Sequence, residues 1–209
     1  MLSLGRYVYR KIIQQEQRNV ALFGLSSGGK TSLLNYLSNI AGNDRRQRLV
    51  PTVGVNLMKL KFPSVEVSVY DLGGGSAAVD RWHNYYDRIH GIFYVVDSSE
   101  CIENSMKIFD ELRTSERLRD VFIALCFNKK DRAETISCYE MVIEKYLEDP
   151  RLEIFETCTL PPSTVTQSVN EEFQPGVGVR EAVEWMNESL VTTSIGQSRK
   201  EAVEHTIKR

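Results

Sequence analysis

Short apolar runs recur along the chain, and the segments between them carry apolar residues at helical spacing. NVALF (19–23), GIFYVVD (91–97), VFIALCFN (121–128) and LEIFETC (152–158) are apolar nearly throughout, so they read as strands buried on both faces. MKLKF (58–62) and VEVSVY (65–70) instead alternate apolar and polar residues on either side of Pro63-Ser64. That pattern predicts an antiparallel hairpin of half-buried strands. Helical patterns fill 30–39, 101–118, 136–147 and 179–190. Strand alternating with helix predicts an α/β architecture, a mostly parallel sheet covered on both faces, with the hairpin as its antiparallel edge.

Three segments stand outside this plan. Residues 41–50 are polar and basic and read as a loop. Residues 160–176 carry three prolines and no periodicity, which marks a long insertion. Residues 191–209 form a polar tail. The expected organisation is an amphipathic helix over 1–17, a nucleotide-binding domain over 18–190 and the tail over 191–209.

Composition narrows the function classes. The 209 residues hold 26 Lys and Arg against 28 Asp and Glu, for a net charge of -2, so a nucleic-acid coat is not expected. No run approaches the roughly 20 apolar residues of a membrane span. The cysteines at 101, 126, 138 and 158 form no CxxC pair, and the amino terminus lacks the apolar core of a secretory signal. An intracellular, cytoplasmic protein is expected.

The chemistry starts at Gly24-Leu-Ser-Ser-Gly-Gly-Lys-Thr31, which fits G-x-x-x-x-G-K-[ST] between a strand and a helix. A glycine-rich helix-capping turn would share the composition, but the context is that of a phosphate-binding loop. Gly24, Ser26, Ser27, Gly28, Gly29 and the helix-opening Lys30, Thr31 and Ser32 would wrap a phosphate chain with backbone N–H groups. Lys30 would reach the terminal phosphates, and the Thr31 hydroxyl would ligate Mg²⁺. Asn128-Lys129-Lys130-Asp131 follows a strand at the carboxyl edge of the sheet. A carboxylate such as Asp131 pairs with N1–H and the exocyclic amine of guanine but not with adenine, so a kinase or metabolic ATPase is disfavoured. Thr52 would give the metal a second hydroxyl. Asp71 would hold it through water, and the Gly74 N–H would meet a γ-phosphate oxygen.

These motifs, with PTVGVN, DLGGG, WHNYY, VVDSS and TCT in order, resemble the ADP-ribosylation-factor-like (ARF-like) branch of the Ras superfamily over roughly residues 18–190. The short step from Thr52 to Asp71 is similar to that of ARF-type hairpins. The resemblance implies a small GTPase (P-loop NTPase) fold with six strands, five flanking helices and an amino-terminal amphipathic helix. It implies GTP or GDP with Mg²⁺ as ligands, a guanine carbonyl on the Thr159 N–H, and effector proteins or another ARF-like GTPase as partners. Trp82 then lies on the segment after Asp71, where it either faces a partner or belongs to the core.

Two departures matter. Gly75 stands where ARF-like proteins carry the glutamine that orients the attacking water, so no catalytic residue is expected and hydrolysis should be very slow. DLGGG is similar to an atypical ciliary subgroup, ARF-like thirteen, which implies an exchange factor or scaffold in cilia or flagella as the alternative function. Leu2 stands where an ARF has glycine, which predicts no N-myristoylation. Leu4, Val8 and Ile12 at helical spacing, with Arg6, Arg10 and Lys11 nearby, suit either a membrane-surface helix or one packed on the domain.

Overall fold

The computed structural model describes residues 17–42, 54–62, 65–132, 144–159 and 176–192. Six strands form one sheet, β1 (Gln17–Phe23), β2 (Val55–Lys61), β3 (Glu66–Leu72), β4 (Gly91–Asp97), β5 (Phe122–Asn128) and β6 (Leu152–Glu156), in the order β2-β3-β1-β4-β5-β6. β2 and β3 pair antiparallel, and every other pair is parallel. Four α-helices occur among the described residues, α1 (Lys30–Ile40), α2 (Ser76–Val79), α3 (Glu103–Arg113) and α4 (179–192).

The central strands are apolar throughout because each of their faces meets a separate core. Alternate residues of a strand point to opposite sides. Val20, Leu22, Phe93 and Val95 pack with Leu33, Leu34 and Leu37 of α1 and with Val183 and Met186. Ala21, Phe23, Ile92 and Tyr94 pack with Phe109 and Leu112 of α3 and with Trp82.

The element ends differ from expectation for local reasons. β1 begins at Gln17, whose Nε2–H donates to Ser68 Oγ at 2.9 Å, so the predicted boundary at 17/18 falls inside a strand. β2 reaches back to Val55, which pairs with Leu72 and carries the hairpin to the edge of the site. The helix predicted over 101–118 spans Glu103–Arg113 and stops there because Ser115 turns extended, with φ -66° and ψ 124°. A separate 3-10 turn follows at Glu116–Leu118. Of the helix predicted over 136–147, residues 136–143 lie outside the described residues, and 144–148 form turns. The helix expected over 1–16, residues 160–175 of the insertion and residues 193–209 of the tail also lie outside them.

Candidate functional site

The site gathers at the carboxyl ends of β1, β3, β4 and β5, where open α/β sheets bind ligands. β1 delivers the chain into the loop that ends at Gly29, and α1 opens at Lys30. Gly29 has φ +98° and faces Asn128 so closely that a Cβ would lie 2.1 Å from Asn128 Nδ2. No acidic residue occupies the first turn of α1. The positive end of the helix dipole there favours an anion. The loop also holds Ser27 at φ 63°, a left-handed geometry that costs a non-glycine residue on the order of 1 kcal/mol.

Lys30 is buried, and its Nζ donates to the Leu25 carbonyl at 2.8 Å. Burial pulls its pKa from 10.5 down to about 8, while the Asp71 carboxylate pulls the other way. Asp71 is fully buried in β3, and its Oδ2 accepts the Thr31 hydroxyl at 2.9 Å. The structure thus brings Lys30, Thr31 and Asp71 together from two elements. Thr31 and Asp71 supply hard oxygen donors of the kind a divalent cation takes. Thr52 lies outside the described residues.

The turn after β3 closes against this loop. The Ser26 N–H donates to Gly74 O at 3.1 Å, and the Gly73 N–H donates to Gly54 O at 3.1 Å. A Cβ on Gly74 would lie 2.4 Å from Leu25 C and Ser26 N, so only glycine fits there. Gly75 caps α2 with an ordinary φ of -73°, and a Cβ there would have Ser26 Oγ, at 3.9 Å, as its nearest neighbour. Space for a side chain exists beside the loop, and none fills it.

On the far side, Asn128 fastens three segments. Its Nδ2 donates to Gly28 O at 2.8 Å and to Thr159 Oγ1 at 2.9 Å, while its Oδ1 accepts the Thr157 hydroxyl at 3.2 Å. Asp131 is only 5% exposed at its side chain. Its Oδ1 accepts the Cys158 thiol at 3.3 Å, and its Oδ2 lies 3.6 Å from Arg132 Nε. Lys129, at φ 64°, pairs its ammonium with Asp97. Burial would raise the Asp97 carboxyl, but hydrogen bonds from Lys129 and Ser99 outweigh it and hold the group below the usual range. Lys130 turns away and pairs with Glu156 Oε1 at 2.8 Å.

Sequence reasoning missed Asp97, Thr157 and Cys158 as partners of the base-side residues. Only the place of Asp97 at the end of β4, on the same sheet edge, signals its role. Of the two readings of Trp82, the structure takes the core. Trp82 is 1% exposed and stacks on Phe23 with 4.7 Å between ring centres. A partner-facing anchor at this position is excluded in this conformation. Tyr85 and Tyr86 are half-buried beside Tyr70 and Phe23.

Comparison with known proteins gives the family and the fold. Human ADP-ribosylation factor-related protein 1 is 28% identical over 202 residues, covering 91% of this chain and 94% of the relative. ADP-ribosylation factor-like protein 3 of Saccharomyces cerevisiae is 28% identical over 193 residues, covering 89% and 92%. The solved structure of the Arl6 BBS3 small GTPase from Trypanosoma brucei, with bound nucleotide analogue GppNp, shares the fold. Its TM-score is 0.65 at 24% identity, and the match covers 83% of this chain and 96% of that one. The ciliary subgroup suggested by DLGGG draws no support from these relatives. The model of the ADP-ribosylation factor family matches residues 6–190, which takes in the phosphate loop, the hairpin and the base-side strand end, and the chain belongs to that family of small GTPases.

Proposed function

We propose that this guanine-nucleotide switch binds GTP and GDP with Mg²⁺ and hydrolyses GTP very slowly, so that its GTP form persists once loaded. The observation that carries the proposal is the open space at Gly75. Lys30 and the N–H groups of the loop and the first turn of α1 would hold the phosphates. Thr31 and Thr52 would ligate the metal and Asp71 would hold its water. Bound Mg²⁺ would neutralise phosphate charge. Asn128, Lys129 and Asp131 would hold guanine, with the Thr159 N–H on its carbonyl. The Gly74 N–H would meet a γ-phosphate oxygen.

Hydrolysis needs a group that orients water against the γ-phosphate, and glycine offers none. Turnover at or below the roughly 10⁻⁴ s⁻¹ scale of an unassisted small GTPase is expected. Gly75→Gln should raise it, because the new side chain meets no close neighbour at its Cβ. Single-turnover phosphate release measures both. A fast wild-type burst would overturn the proposal.

Effector binding fits the same surface. Val55 and Leu57 are 44% and 52% exposed on the edge strand β2. Val55 lines a cleft of about 490 Å³ between the hairpin and α2, together with Gly75, Arg81 and Tyr85. An exchange-factor role in cilia is not favoured, since the aromatic anchor it would use, Trp82, is buried. A cytoplasmic location is part of the proposal and draws on the spacing of the cysteines, which forms no CxxC pair. Membrane contact by residues 1–17 rests on their sequence pattern alone.

A further inference from the structure

The peptide unit between Gly73 and Gly74 is gripped at its carbonyl. The Trp82 indole Nε1–H donates to Gly73 O at 3.1 Å in a buried hydrogen bond. A peptide unit is planar, and in its trans form the C=O and N–H point in opposite directions. Holding the Gly73 carbonyl therefore aims the Gly74 N–H away from the indole. Among the described residues no acceptor takes that N–H, whereas the Gly73 N–H and the Gly74 carbonyl are both engaged. Three glycines in a row would otherwise let this peptide rotate at little cost. The indole itself is fixed, stacked on Phe23 and set edge-on to Tyr94 at 6.3 Å. Phe23 is the last residue of β1 before the phosphate loop, so the grip is referenced to the loop itself.

We propose that Trp82 is a positioning residue for the third phosphate, its indole N–H holding the Gly73 carbonyl so that the Gly74 N–H is presented to a γ-phosphate oxygen. This rests on, and deepens, the reading of Gly74 given above. Burial explains why the residue here is an aromatic with a donor. Packing alone needs only a ring, and the carbonyl needs the N–H.

The test compares Trp82→Phe with site-specific replacement of the indole by benzothiophene, which keeps its outline and puts sulfur where the N–H was. Binding of GDP and of a non-hydrolysable GTP analogue is titrated for each. The Gly74 amide proton is followed by NMR. Loss of one hydrogen bond to a charged oxygen should lower the analogue-to-GDP affinity ratio roughly tenfold. It should also abolish the downfield move of the Gly74 amide on analogue binding. If Trp82→Phe fails to fold, the isostere decides. An unchanged ratio in the isostere, or an equal loss for both nucleotides, would overturn the proposal and leave Trp82 a packing residue. If the wild-type protein itself shows no preference between the two ligands and no Gly74 response, the reading of Gly74 as phosphate sensor fails first.

Discussion

Lys30 is a buried ammonium whose desolvation works against the empty fold. Burial brings its folded pKa to about 8 against 10.5 for the free group. Between those values the unfolded chain holds a proton that the folded chain has released, so stability of the nucleotide-free protein rises with pH across that window. In the role proposed for Lys30, phosphate binding has the opposite sign, because it would need the ammonium, and affinity should fall as pH passes 8. Melting temperature and nucleotide titration between pH 7 and 10 measure the two trends. Lys30→Met should flatten both. A slope that survives in Lys30→Met would assign it to another group. The residues of this site were legible wherever they sat in one contiguous motif. The Lys129–Asp97 pair, the Cys158–Asp131 contact and the Trp82 bond to Gly73 were not, because no spacing along the chain relates residues that only folding brings together.

Among the elements, strand interiors were readable and ends were not. β4 lies between two cores, and its seven residues match the predicted run in full. Gln17 and Arg18 at the start of β1 are polar, so nothing in their composition announces a strand. Their pairing comes from Glu66 and Val67 on β3. The junction between β4 and α3 carries a polar tie inside an apolar layer, with the Ser105 hydroxyl 3.5 Å from the Tyr94 hydroxyl as well. Tyr94 donates its hydroxyl proton to the Ser105 carbonyl at 2.7 Å, and its ring lies 4.9 Å from that of Phe109. Tyr94→Phe keeps the ring and removes the tie, which should cost about 1 kcal/mol. Urea denaturation should show a lower midpoint with an unchanged slope. No change in midpoint would mean that the hydroxyl finds equal partners in the unfolded chain.

At the level of the whole molecule, the sheet serves as a partition with a separate apolar core on each face and all of the binding chemistry along one rim. The Asn128 side chain spans that rim, donating to Gly28, which lies 100 residues earlier, and to Thr159, which lies 31 later. The consequence is one of timing during synthesis. The phosphate loop leaves the ribosome early, yet on the proposed reading the base pocket has no wall until the segment around Thr159 has emerged and docked. On that reading, a nascent chain until then carries Lys30 and the loop without a grip on guanine. Ribosome-bound chains halted with residue 150 at the tunnel exit should therefore lose labelled GDP at once, whereas chains halted after residue 192 has cleared the tunnel should retain it. Equal retention at the two lengths would show that the loop suffices alone. If the two lengths differ as expected, acquisition of nucleotide is a late, nearly final act of folding, and the cell meets this protein as a switch only after most of it has been made.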